Sequence, residues 1–121
     1  MVVMAQEGEV METTVVNIRH QQYDEYIGRG SPLGNPFIIG RDGTREEVIE
    51  KYKNYIITHP ELLKLIRTLK GKRLGCFCAP LPCHGDVVKA LADQVNDANE
   101  IDESHFASWW WDYSQQAQER L

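Results

Sequence analysis

The spacing of hydrophobic positions changes several times along the chain, and each change marks an element. Val15, Val16 and Ile18, interrupted by Asn17, form a β-branched run that predicts a short buried strand from Thr14, with Arg19 and His20 following its carboxyl end. Tyr26 to Phe37 then carries three glycines and two prolines in twelve positions, so neither helix nor regular strand persists and a constrained loop is expected. Phe37-Ile38-Ile39 reads as a short extended piece ending in the turn Gly40-Arg41-Asp42-Gly43. Thr44 and Glu47 have the spacing of a capping box, and Val48, Ile49, Tyr52, Tyr55 and Ile56 recur at helical period, which predicts a helix to about Ile57. Pro60 suits the first turn of a second helix, with Leu62, Leu63, Leu65, Ile66 and Leu69 on its apolar face and Gly71 as its stop. Lys72 to Cys78 reads as a second buried strand, Ala79-Pro80-Leu81-Pro82 as a turn, and Cys83-His84-Gly85-Asp86 as the start of a third helix through Val87, Val88, Leu91 and Ala92.

This order predicts one α/β domain: a small sheet flanked by helices, with a C-terminal helical tail. The expected divisions are a flexible leader over 1–12, the α/β domain over 13–95, and an acidic linker with a Trp-rich helix over 96–121. In open α/β sheets ligands bind beyond the carboxyl ends of the strands, so the loops 26–37 and 76–86 are expected to form one working surface.

Composition narrows the function classes. With 121 residues, 42% hydrophobic and 26% charged, the chain has material for one core, hence one site cluster. A formal net charge of -5 argues against a nucleic-acid duplex as partner. No apolar run approaches the ~20 residues of a membrane span and Met1 to Met11 has no signal-peptide pattern, so a cytoplasmic protein without membrane contact is expected. The three cysteines fall within eight positions, Cys76 to Cys83, beside His84, a pattern unlike a secreted disulfide framework.

Those thiols can be read in three ways. Cys76, Cys78, Cys83 and His84 are soft ligands that could hold zinc, although C-x-C followed by adjacent C-H is not the usual pair of separated ligand knuckles. Buried cysteines also pack as small hydrophobes. Cys83, at a helix start, is in addition a candidate nucleophile, because the positive end of the helix dipole lowers a thiol pKa. The same helix start is a candidate anion site. The glycine-rich loop reinforces that idea: Arg29 offers a bidentate fork, Gly30 and Gly34 permit close backbone approach, and Ser31 and Asn35 offer polar readout. It lacks the glycine spacing of a dinucleotide fingerprint and the Lys-Ser/Thr ending of a P-loop. Trp109, Trp110 and Trp111 would cover more than half a helix circumference, so docking on the domain and a homodimer contact are both open to them.

Three ordered stretches carry a family likeness: Tyr26-Ile27-Gly28-Arg29-Gly30-Ser31-Pro32-Leu33-Gly34-Asn35-Pro36-Phe37, Asp42-Gly43-Thr44-Arg45-Glu46-Glu47-Val48-Ile49, and Cys76-Phe77-Cys78-Ala79-Pro80-Leu81-Pro82-Cys83-His84-Gly85-Asp86-Val87-Val88. Together they closely resemble domain-of-unknown-function family 4326 of phage and bacterial genomes, over about Thr13 to Leu91. The Cys83-His84 corner also resembles the C-H-R corner of domain-of-unknown-function family 488, with Gly85 where that family has arginine. The resemblance implies a phage-type accessory protein, a class that acts on nucleotides or host defence signals.

The leading functional expectation is a pocket that binds, and in an enzyme hydrolyses, a nucleotide-derived or other phosphorylated or ribosyl small molecule. Asn17, Arg19, Arg29, Gly30, Ser31, Gly34 and Asn35 are its expected binding residues, and Cys83, His84 and Asp86 the candidate catalytic groups, with His84 or Asp86 as general base and no cofactor. The alternative is a zinc-stabilised interaction module that uses its Trp-rich tail to grip a protein. Single-stranded nucleic-acid binding through Arg29 and aromatic rings stands third, against the charge balance.

Overall fold

Three short strands form a parallel sheet in the computed structural model, which describes residues 12–120. The elements in chain order are β1 (Thr14–Asn17), β2 (Glu25–Tyr26), α1 (Arg45–Ile57), α2 (Pro60–Ile66), β3 (Arg73–Cys76), α3 (His84–Asp93) and α4 (Glu103–Arg120). The strand order is β1-β3-β2, so the last strand enters between the first two. Val15 and Val16 of β1 face Leu74 and Gly75 of β3 in the ladder, and Glu25 and Tyr26 of β2 take the same two partners on the other side. The chain passes from β1 to β2 across β3 without a helix, and Ile18 and Tyr23 of that connection lie on Gly75. A β-carbon there would come within 2.6 Å of Ile18 and 2.7 Å of Tyr23, so only glycine lets the crossover lie flat on the sheet.

The α/β class expected from the pattern is the class observed. β2 was not expected: two residues of mixed polarity give no period-2 signal, and the strand exists because Ile27 N–H and Asp24 N–H extend its bonding to β3. The second helix ends at Ile66 rather than near Gly71. Leu69 is nevertheless fully buried, in the tight turn that follows. β3 closes at Cys76, so Cys78 belongs to the turn and not to the strand.

α3 packs on β1 and β3, and α1 packs on α2 and α3. Their shared core centres on Ile27, Ile49, Tyr52, Ile56, Leu74, Val87, Val88 and Leu91. Burial of side chains of this size contributes about 1.5–3 kcal/mol each before chain entropy is set against it. The C-terminal helix is part of this body rather than an appendage: Phe106 and Tyr113 are buried in the same core, with Trp109 and Trp110 half-buried against it. Trp111 points outward, 67% exposed. Most of the leader, residues 1–11, lies outside the described residues, and Thr13 is fully buried, held by Asp93 and by Gly71 N–H. Among the described residues no helix is long and apolar enough to cross a membrane.

Candidate functional site

The carboxyl ends of β2 and β3 open onto a cavity of about 300 Å³. Four segments wall it: the glycine-rich loop, residues 37–39, the first turns of α1, and the β3–α3 loop.

The glycine-rich loop holds its path by bonding to itself. Ser31 donates to the Gly28 carbonyl through both its backbone N–H and its hydroxyl, at 3.1 and 2.7 Å, and Gly34 N–H closes onto Ser31. A β-carbon at Gly34 would lie 2.5 Å from the Gly28 carbonyl oxygen, so the close approach requires glycine. Gly30 occupies the left-handed region, with φ of 95°. From below, the buried Tyr52 hydroxyl donates to the Leu33 carbonyl at 2.6 Å. These bonds leave Arg29 exposed at the cavity, its guanidinium donating to the Asn35 carbonyl at 3.1 Å, while the Asn35 side chain bridges Phe37 N–H and the Val48 carbonyl.

Across the cavity the β3–α3 loop, with a cis Ala79–Pro80 bond, gathers the three thiols. The Cys76 and Cys83 sulfurs are 3.7 Å apart and both residues are buried, whereas Cys78 is half-buried on the cavity wall. The neighbouring Cys76 and Cys83 thiols hold the Cys78 thiol well below its ordinary pKa. Arg45 adds to the effect, and burial only partly opposes it. The other two thiols move the opposite way. Cys83 is raised by its contacts with Cys76 and Cys78 and by burial, and Cys76 is raised first by Cys78. Of the three thiols it is Cys78, on the cavity wall that Arg45 also lines, whose charged form its neighbours favour. The dipole expected to acidify Cys83 is outweighed: the residue is 3% exposed, and its sulfur accepts Gly85 N–H at 3.3 Å as the N-cap of α3 and lies 3.7 Å from that of Cys76.

His84 lines the same cavity at the first position of α3. Its Nε2–H donates to the Ile27 carbonyl at 2.7 Å, which leaves the lone pair on Nδ1 in the neutral ring. Burial lowers its pKa, so the ring is neutral at pH 7. Asp86 is directed elsewhere. One carboxylate oxygen accepts Cys83 N–H at 3.3 Å and the Tyr113 hydroxyl at 2.5 Å, so it caps α3 and anchors α4, and it does not line the cavity.

Of the residues expected in the site, the fold brings Arg29, Asn35, Cys76, Cys78, Cys83 and His84 together around one cavity. Gly30, Ser31 and Gly34 shape the loop without lining it. Asn17 is used at both ends of its amide, donating to the Phe77 and Ala79 carbonyls and accepting Arg19 N–H, so it ties β1 to the thiol loop. Arg19 stacks on the rim, 5.1 Å from the Phe77 ring centre. Among the described residues no group of three or more His, Cys, Asp or Glu is arranged to hold a metal ion.

Sequence reasoning missed Arg45, Phe37 and Phe77. Arg45 had a legible signal: it falls at i, with Val48, Ile49, Tyr52 and Ile56 at i+3, i+4, i+7 and i+11, a charge on the apolar stripe of α1. Its guanidinium reaches the Pro82 carbonyl at 3.1 Å, which aims the helix start at the thiol loop. In a strand running from Lys72 to Cys78, alternation would turn Phe77 away from Cys76 and Cys78. Because β3 ends at Cys76, Phe77 instead joins Cys76 and Cys78 on the cavity wall, 48% exposed.

Comparison with known proteins yields relatives and a family. No solved structure matches the chain. It is 38% identical over 86 residues to an uncharacterized 12.4 kDa protein from the nrdA-td intergenic region of Enterobacteria phage T4, covering 67% of this chain and 78% of that protein. It is 36% identical over 89 residues to uncharacterized protein R718 of Acanthamoeba polyphaga mimivirus, covering 59% of this chain and 68% of that one. Every residue of the cavity wall falls within residues 11–94, the span matched by the model of the domain of unknown function DUF4326, and the chain belongs to that family.

Proposed function

We propose that the cavity binds a small anionic ligand carrying a flat ring, of the nucleotide or ribosyl phosphate class. One observation supports this above the others: Arg29 and Arg45 line the cavity and no Asp or Glu does, in a chain of net charge -5. A chain that is acidic overall keeps two arginines, unaccompanied by a carboxylate, where the strand ends, loop and helix starts converge. Phe37 and Phe77 offer ring faces to a base, and the volume lies at the lower end of the roughly 300–1,000 Å³ typical of ligand pockets, which favours one nucleotide over a longer polyanion.

The test is a thermal-shift and calorimetric panel of nucleoside monophosphates, ribose 5-phosphate, free nucleosides and inorganic phosphate against the full chain. Nucleotides should stabilise most and nucleosides least, with Arg29→Lys and Arg45→Lys weakening binding by roughly 1–3 kcal/mol through loss of the planar fork. Equal affinity for nucleosides and nucleotides would remove the anion from the reading. Hydrolysis is followed beside binding as release of base or phosphate. Elemental analysis of the same preparation tests the zinc-stabilised module: stoichiometric zinc with no shift by any nucleotide favours that alternative.

A further inference from the structure

We infer that Cys78 is a nucleophilic site for anionic electrophiles, on the wall of a cavity that it shares with Arg29 and Arg45. The inference rests on the proposed anion pocket and adds a reaction class to it.

The geometry separates the three sulfurs by role. Cys76 and Cys83 lie in the core, 3.7 Å apart, and Cys83 is further occupied as the cap that receives Gly85 N–H. Cys78 alone among them is part-exposed, and it lines a cavity large enough for a small ligand. Arg29 and Arg45 line that cavity and no carboxylate does, surroundings that favour a charged sulfur, and the neighbouring Cys76 and Cys83 thiols act in the same direction. Asp86, the nearest carboxylate on α3, is turned toward Tyr113. A thiolate formed there has already released its proton to solvent, so it needs no general base.

The chemistry such a sulfur performs is displacement at a saturated carbon. The C–S bond forms as the bond from that carbon to its leaving group breaks, and the bonding pair departs with the leaving group. With a glycosyl phosphate the leaving group is phosphate, which departs as an anion and requires no proton. Arg29 and Arg45 line the same cavity and supply the cations that favour it.

The probes are iodoacetate and iodoacetamide, which deliver the same carbon with and without a negative charge. Each is reacted with the native full chain between pH 6 and pH 8.5, and again with the urea-unfolded chain, and each cysteine is followed by peptide mass mapping. In the native protein Cys78 should react at least tenfold faster than Cys76 or Cys83 and keep its rate down to pH 6. The iodoacetate to iodoacetamide rate ratio at Cys78 should exceed that of the unfolded chain severalfold. Arg45→Gln should lower the ratio, and Arg45→Lys, which keeps the charge, should retain most of it, with thermal unfolding confirming that both fold. Faster labelling of Cys83, or a Cys78 rate that titrates like an ordinary thiol near 9.0 with no preference for the anion, would overturn the inference. Protection by ribose 5-phosphate separates the two readings: fast, anion-selective labelling without protection upholds the nucleophile and removes the ligand class, whereas slow labelling with nucleotide-dependent stabilisation does the reverse.

Discussion

Two helices of this protein begin with the same device in opposite surroundings. At α1, Thr44 accepts Glu47 N–H at 3.2 Å and Glu47 accepts Thr44 N–H at 2.8 Å, all in contact with solvent. At α3, Cys83 takes the place of the hydroxyl residue and Asp86 that of the glutamate, and the start is buried against the sheet. A thiol is a weaker acceptor than a hydroxyl, so capping alone gives no reason for cysteine at that position. The α3 start does what the α1 start does not: it contributes a sulfur to the thiol cluster, a ring to the cavity and, through Asp86, the anchor of the last helix. Burial turns a local cap into a junction.

The largest effect expected from that difference is at Asp86. Asp86→Ala removes the backbone cap at Cys83 and the acceptor for the Tyr113 hydroxyl together, and should cost about 2–3 kcal/mol in urea unfolding. Asp86→Asn, which keeps an acceptor, should recover part of it. A loss no larger than that of a single surface cap would show that the two starts are equivalent and that α4 docks by its apolar face alone.

Next is a difference in pH response. His84 is held below its ordinary value of 6.5 by burial, so the unfolded chain binds its proton first. Stability is complete above about pH 6.5 and falls as pH drops through the window down to the native value, by up to about 1.4 kcal/mol per pH unit. His84→Gln should flatten that slope. At the α1 start, the Thr44 N–H holds the Glu47 carboxyl below its usual 4.5, so its contribution is present above that value and is lost only in stronger acid. Unfolding midpoints between pH 7 and 4 should therefore show the buried start loosening before the exposed one. A slope near pH 6 that persists in His84→Gln would assign it to another group.

The exposed start supplies the reference magnitude. Thr44→Ala should destabilise by about 1 kcal/mol and leave Cys78 labelling unchanged, because nothing at that cap touches the cavity thiols. A change in labelling would mean that the orientation of Arg45 depends on its neighbouring cap.

The same contrast explains what could be read from the sequence. The α1 cap was legible because its residues are the usual ones and its helix is amphipathic, and β1 was legible from its β-branched run. At α3, Cys83 and His84 do line the cavity, but their surroundings were not legible. Sequence spacing places Cys83 at a helix start, where the dipole argues for a reactive thiol, but it does not reveal that Cys83 is buried with its sulfur 3.7 Å from that of Cys76, surroundings that raise its pKa instead. Asp86 was grouped with His84 by adjacency, although residues two apart on a helix point in different directions, and Asp86 faces α4 while His84 faces the cavity. Arg45 carries a signal only when its charge is weighed against its place on the apolar stripe of α1.

The smallest expected effect decides between cap and nucleophile. In Cys83→Ser the hydroxyl is a better acceptor for Gly85 N–H and can still donate toward the cluster, while the smaller atom gives up some contact with Cys76 and the surrounding core. These terms oppose one another, and the net change in stability should stay within about 1 kcal/mol. Cys78 should keep its anion-selective labelling, since a hydroxyl replaces the thiol as donor. Cys83→Ala, which supplies neither a cap nor a donor, should lose more stability and slow Cys78, so the pair of variants isolates the polar atom from the sulfur itself. If Cys83→Ser abolished covalent labelling while unfolding normally, the sulfur at the buried helix start would be the reacting atom, and the contrast between a structural cap at α3 and a separate nucleophile at Cys78 would collapse.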